Sequence, residues 1–448
     1  MANTAQAPPD AIARVIRASY DHCLVGLADV VGLTSDDQVE LSANGCYLTT
    51  ADGTEYLDCF AGLGVFNLGH RHPEVIKAVT EQMNRMPLNA WTFFHNIPLA
   101  ELAEALAAVA PGKLTRTSVF NSSSESMDIA LKTARLATGR KRFIGCWEAY
   151  HGNTMGAQSV SGQRFLRAAI EPLLDTDLVT YGDIDSLRKV ASVEHAAIVL
   201  EPIQGQVNRI PPPDYFRQVR ALCDELGILL IDDETQTGLG RTGKLFGIQN
   251  YDVAPDLMVL GKALSGGVVP ISVVMYTEEI ANKLGTSAAF YHGTTFGGNE
   301  LACAAAKTAI HVMLKDHIPE HVTKLGAYLQ QQLAQIYHDN QRFLREYRGM
   351  GFVGVLEFKE TRDAFWFNRQ MLQKHKIMLF MTPRGDDPSA VTNLKIMPPL
   401  IAQQAEIDRL LQALRASFAS LAQVTPAEFE AMLQKIMSNR LVREAMAP

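Results

Sequence analysis

The chain has little with which to make disulfides. Its six cysteines, Cys23, Cys46, Cys59, Cys146, Cys223 and Cys303, are scattered over 448 residues with no Cys-x-x-Cys pair. That usage fits reduced thiols in a cytoplasmic protein better than a disulfide framework. No uncharged apolar run reaches the length of a membrane span. Met1 to Asp10 lacks a cationic segment followed by an apolar run, so no signal peptide is evident. Basic runs are missing as well. Lys and Arg number 41 against 48 Asp and Glu, a formal net charge of -7, which argues against nucleic acid as a partner. His70, His72, His151 and His292 do not stand at metal-ligand spacing from nearby acids, so no metal is expected. Repeats and low-complexity tracts are absent too.

What is present is ordinary for a globular enzyme: 47% hydrophobic and 20% charged residues, in a chain long enough for two or three packed units. Residues 1–10 read as a frayed arm. Ile12 to Val31 has helical apolar spacing, with Gly32 as a stop. Cys46 to Asp58, with the turn Ala51-Asp-Gly-Thr54, reads as a hairpin. Helices are expected over Glu101–Ala110, Ser126–Thr138 and Phe216–Leu226. Strands are expected over Thr117–Phe120, Arg142–Cys146, Ala196–Glu201, Ile228–Asp232 and Leu257–Leu260. Such alternation predicts an α/β fold with an open, mostly parallel sheet covered by helices on both faces. The expected division is residues 1–75 as the N-terminal part of a small domain, 76–325 as a large domain, 326–423 as the rest of the small α+β domain, and 424–448 as a helical tail. In that tail Thr425-Pro-Ala-Glu428 forms a capping box. Phe429, Met432, Leu433, Ile436 and Met437 share one apolar face, more in keeping with packing on the chain's own domain than with a partner-binding helix.

Two strand ends carry the chemistry. Asp256-Leu-Met-Val-Leu-Gly-Lys262 ends an apolar run in an amine, and Ile228-Leu-Leu-Ile-Asp-Asp233 ends one in a carboxylate. A strand-end lysine is by default a solvated residue. Paired with a buried acid, it suits an aldehyde cofactor held as a Schiff base, whose pyridine nitrogen the acid keeps protonated. Two nearby patterns mislead. Gly238-Leu-Gly-Arg-Thr-Gly243 matches a dinucleotide fingerprint but leads into poor helix, and Leu245 stands where a phosphate loop needs Ser or Thr. Asn121-Ser122-Ser123-Ser124-Glu125 is the better anion site. Small polar residues after a strand present free N–H groups at the start of a helix.

Six segments give the chain a family resemblance: Gly62-Leu-Gly-Val-Phe-Asn-Leu-Gly-His-Arg-His-Pro73, Phe120 to Glu125, Tyr150-His-Gly152, Leu200-Glu-Pro-Ile-Gln-Gly205, Asp233 to Gly243, and His292-Gly-Thr-Thr-Phe-Gly-Gly-Asn299, with Lys262 between the last two. They resemble the class III, pyridoxal-phosphate-dependent aminotransferases of fold type I, over about residues 35 to 420. Within that family the chain looks nearest to putrescine-type members. The resemblance implies pyridoxal 5'-phosphate, with Lys262 and Asp233 as catalytic residues. It places the cofactor phosphate on Ser122, Ser123 and Ser124, where the family usually has glycine at 123 and threonine at 124. It puts Tyr150 on the cofactor ring with His151 and Gly152 beside it, Gln236 near the phenolic oxygen, and Glu201 in the site. Thr295 would reach a phosphate across the interface of a homodimer.

Substrate choice follows from departures. The family commonly binds the keto-acid carboxylate with an arginine before Pro-Pro-Leu; here Asn393-Leu-Lys395-Ile-Met-Pro-Pro-Leu400 carries lysine. An ammonium is a point charge rather than a two-pronged donor. A Glu201–Lys395 ion pair is the expected arrangement. Gln206-Val207-Asn208 replaces the usual Glu-Gly-Gly. The pair of substrates expected is a terminal primary amine (or the matching aldehyde) and a keto acid. The alternatives are an ω-amino acid such as acetylornithine or 4-aminobutyrate, a decarboxylase, racemase or aminomutase on the same fold, or a non-catalytic binding protein.

Overall fold

The computed structural model describes residues 8–23, 35, 37–86, 94–171, 173–286, 293–385 and 387–437. The first helix spans Pro9–His22, with Pro9 at its first position, where the missing N–H costs no bond. It ends at His22, where Cys23 turns extended, so the helix expected to run on to Val31 is interrupted there; residues 24–31 lie outside the described residues, as does His292.

Next comes a small antiparallel meander, β1 (Glu40–Asn44), β2 (Tyr47–Thr50) and β3 (Glu55–Asp58), with the expected turn at Ala51–Thr54. The central sheet follows: β4 (Leu114–Phe120), β5 (Arg142–Cys146), β6 (Thr176–Val179), β7 (His195–Leu200), β8 (Leu229–Asp233), β9 (Leu257–Leu260) and β10 (Ser272–Thr277). Its strand order is β4-β10-β9-β8-β7-β5-β6. The pairs from β6 to β9 are parallel, and β10 runs against both neighbours. The sheet is buried on both faces, as a parallel sheet under helices must be. Along β7, Ile198 and Leu200 join one apolar cluster while Ala197 and Val199 join another. The same period of two separates Asp232 from Asp233 at the end of β8.

A third sheet holds β11 (Leu344–Met350), β12 (Val353–Phe358), β14 (Phe380–Arg384) and β15 (Asp387–Ile396) in the order β11-β12-β15-β14. The short β13 (Ile377–Met378) pairs in parallel with β3. The N-terminal meander is thereby joined to the C-terminal part of the chain. A boundary at 325/326 falls inside the helix Ile318–Asp339.

The tail helix, Pro426–Met437, starts with the Thr425–Glu428 capping box: Glu428 Oε2 accepts from Thr425 N at 2.8 Å, and Thr425 Oγ1 from Glu428 N at 3.3 Å. The Phe429 ring centroid lies 6.5 Å from that of Trp366 and under the Arg362 guanidinium, so the start of this helix packs on its own chain. Among the described residues no helix is long and apolar enough to cross a membrane, and none of their His, Cys, Asp and Glu residues group as metal ligands.

Candidate active site

The C-terminal ends of β4, β5, β7, β8 and β9 open on one cavity of about 480 Å³. Open α/β sheets bind ligands at this edge because the strand ends release backbone groups and side chains there. Ser123, Ser124, Tyr150, His151, Gly152, Glu201, Asp233, Gln236, Lys262 and Lys395 all line it. Ser122 and Thr295 do not. The Ser122 hydroxyl caps the helix Ser123–Thr138, accepting from Glu125 N at 3.3 Å while Glu125 Oε2 accepts from Ser122 N at 3.1 Å. Thr295 is exposed.

Lys262 follows β9 by two residues and opens a single 3₁₀ turn, Lys262–Ser265, with φ at +45°. Burial lowers its amine pKa, against the pull of Asp233 and Glu201. Asp233 Oδ2 meets His151 Nδ1 at 2.7 Å, with both side chains buried, and Oδ1 accepts from Thr235 N at 3.0 Å. Burial alone would push the His151 pKa down; its hydrogen bond and charge contact with Asp233 outweigh this and raise it. This His–Asp pair escaped the sequence reading, whose only trace of it was Tyr150-His-Gly152 following a strand. Thr235, Gly62, Leu63 and the segment Phe380–Pro383 also line the cavity without having been singled out for it.

Gln236 faces Lys262. With its amide oxygen toward Nζ it accepts at 3.2 Å and its nitrogen donates to the Gly205 carbonyl at 3.3 Å. The reverse orientation leaves a long 3.4 Å bond to the Leu63 carbonyl, so the former satisfies more groups.

The Glu201–Lys395 ion pair expected from sequence is not formed. The Gly205 peptide stands between the two. Its N–H donates to Glu201 Oε1 at 2.6 Å, and its carbonyl accepts from Lys395 Nζ. Glu201 Oε2 takes the Tyr150 N–H at 3.3 Å. Burial is the leading cause in each case: it pushes Glu201 up to about 7, and it lowers Lys395 to about 7, aided by repulsion from Lys262.

The dinucleotide-like stretch is structural. Gly238–Gly243 forms turns, and only a 3₁₀ turn, Gly247–Tyr251, follows it. Arg241 is fully buried and donates to Asn67 Oδ1 and to the carbonyls of Phe352 and Pro398, tying three parts of the chain together.

The residues present fit pyridoxal phosphate. His151 Nε2 and Thr235 Oγ1 are buried at the cavity and lack hydrogen-bond partners among the described residues. Gly152 and Gly261 are needed for room: a Cβ on Gly152 would come within 2.2 Å of Ser124 Oγ, and one on Gly261 within 2.0 Å of Ser123 Oγ. The glycines thus let two hydroxyls stand beside free backbone at the start of a helix, an anion cradle.

Residues 37–418 match the family model described as Aminotransferase class-III. A putrescine aminotransferase from Pectobacterium atrosepticum is 40% identical over 377 residues, covering 82% of this chain and 79% of that protein. The ornithine aminotransferase of Toxoplasma gondii ME49 superposes with a TM-score of 0.83 at 27% identity, over 92% of this chain and 96% of that one. An (S)-enantioselective omega-transaminase from Thermomicrobium roseum gives 0.81 at 28% identity, over 92% and 98%. With Lys262 and Asp233 lining such a cavity, the chain belongs to the class III aminotransferases, enzymes of fold type I that use pyridoxal 5'-phosphate.

Proposed function

We propose that this enzyme moves an amino group between a terminal primary amine, diamines of putrescine length included, and a keto acid. The observation that carries this reading is the cavity itself. Lys262 and the Asp233–His151 pair occupy its large-domain side, and Lys395 stands where a keto-acid carboxylate would be received. The relative that acts on putrescine supports the choice of amine.

When bound, pyridoxal phosphate supplies an aldehyde carbon that takes up the amine and a ring that accepts electrons as the adjoining C–H bond breaks. The protein's own groups do the rest. Lys262 Nζ would take the proton from the substrate's amine-bearing carbon and return it to the cofactor's aldehyde carbon, and burial, by lowering its pKa, favours the free amine that accepts it. Asp233 presents negative charge to the ring nitrogen, oriented by His151 and the Thr235 N–H. Ser123, Ser124 and Gly152 would hold the phosphate, Tyr150 would cover the ring, and Gln236 would meet the ring oxygen. Ser122 serves the same turn as its helix cap. Thr295, exposed on this chain, reaches the phosphate of a second copy, so the enzyme works as a homodimer.

The test is the visible absorbance of the cofactor-loaded enzyme. Adding a diamine should shift it, and adding a keto acid should restore it. No shift with any amine in a panel, or release of carbon dioxide instead of a carbonyl product, would reject the reading.

A further inference from the structure

Ala61, Gly62, Leu63 and Gly64 all have positive φ, at 46, 58, 56 and 90°. Glycine adopts this conformation freely, but alanine and leucine meet a steric penalty and hold it only where their surroundings impose it. Asp58, at the end of β3, bonds to the start of this turn. Its Oδ1 accepts from Phe60 N at 2.9 Å and Ala61 N at 2.7 Å, and its Oδ2 from His70 Nε2 at 2.8 Å. His70 is fixed in turn by two backbone bonds with Gly45, at 3.0 and 2.8 Å, and by the Phe66 ring 4.0 Å away. The turn is part of the cavity. Gly62 and Leu63 line it, Gly64 lies against Gln236, and Phe60 stacks at 4.8 Å on Phe380, another lining residue.

We propose that Asp58 is a positioning residue for amino transfer: anchored by His70, it holds the Ala61–Gly64 turn left-handed and so sets the wall past which the amine reaches Lys262. This rests on the amine-transfer reading above.

The test uses the cofactor-loaded dimer well below its unfolding midpoint, with two readouts: kcat and KM for a diamine, and hydrogen-exchange protection of residues 59–67 in the cofactor-free protein. Asp58→Ala should lose that protection and raise the amine KM about tenfold or more, while kcat and the bound-cofactor spectrum stay within about twofold. Asp58→Asn should return to within about threefold, because its carboxamide oxygen still accepts both N–H groups and its nitrogen can donate to the other His70 tautomer. Adding Ala61→Gly to Asp58→Ala should recover most of the KM, since glycine takes the same φ without strain. An unchanged amine KM in folded Asp58→Ala, a KM change that follows cofactor loss alone, or no recovery with Ala61→Gly overturns the proposal. If Asp58→Ala does not fold, His70→Ala carries the test, with the KM up about threefold or more expected and an unchanged KM fatal. Should wild type transfer no amine at all, the reaction reading fails, and the exchange arm still judges Asp58: protection lost only in 59–67 supports it, and protection retained overturns it.

Discussion

The cavity has two unlike walls. On the side of the central sheet, Asp233 is held by His151 and a backbone N–H, Ser124 Oγ accepts from Asn153 N at 3.2 Å, and Lys262 stands at a strand end beside Gln236. On the other side the lining is Phe380, Met381, Thr382, Pro383 and Lys395, whose ammonium leans on a peptide carbonyl with no carboxylate in direct contact. The first wall arranges charge where bonds change, which leaves little room for variation. Under the proposed reaction, the second would contact parts of the substrate away from the bonds that change. Substitutions on the first should therefore lower the rate for every substrate, and those on the second should separate one substrate from another.

Lys262→Ala should have the largest effect, with turnover below about one-thousandth of wild type while the folded protein still binds cofactor non-covalently. Visible absorbance and single-turnover rates check this, and near-native activity would contradict it. Asp233→Asn should cost at least about a hundredfold with every amine and keto acid, because a neutral amide cannot hold the ring-nitrogen proton. Asp232, on the opposite face of β8, is the control. Its buried carboxyl has a pKa raised well above the usual range, by burial first and then by Glu234 and Asp233. Burial disfavours its charged form, and Asn is nearly isosteric with its carboxyl. Asp232→Asn should stay within about threefold of wild type in rate. If it is the more damaging of the two changes, the face assignment fails.

The two walls were also unequally legible. Every expected strand of the central sheet appears, because apolar runs of β-branched residues between turn signals leave few alternatives. Lys262 and Asp233 were readable since each ends such a run. The His151–Asp233 contact joins residues 82 apart in sequence, and no local pattern encodes it. The Glu201–Lys395 pairing was misjudged for a related reason. Charge complementarity in a sequence does not reveal that the Gly205 peptide occupies the space between them. The left-handed turn at Ala61–Gly64 was hidden because Ala and Leu rarely adopt that conformation, and the Asp58 bonds at its start exist only in the folded chain.

Lys395 is the sharpest test of the second wall. Lys395→Ala should raise the KM for the keto acid about tenfold and leave the amine half-reaction nearly unchanged. Lys395→Arg should be tolerated or improve keto-acid use, because two fixed donors replace a point charge. Stopped-flow traces of each half-reaction separate the outcomes. Equal slowing of both halves, or of neither, would show that Lys395 only fills space and steadies Gly205.

The last effect is on stability rather than rate, as a pH dependence, and comes from the same corner. Glu201 rises from 4.5 to about 7 on folding, so between those values the unfolded chain releases a proton that the folded chain keeps. Stability must therefore fall as pH rises through that window, and the whole cost is present above about 7. Lys395 runs the other way. Lowered from 10.5 to about 7, it regains stability as pH rises between those values. The two windows meet near neutrality, where the corner is least favourable. Glu201→Gln removes the lower window. Its stability relative to wild type should grow from pH 4.5 to 7 by up to about 3 kcal/mol, measured by urea unfolding at matched pH. Parallel profiles for the two proteins across that range would mean that Glu201 stays ionised in the fold, with Lys395 balancing its charge through the intervening peptide.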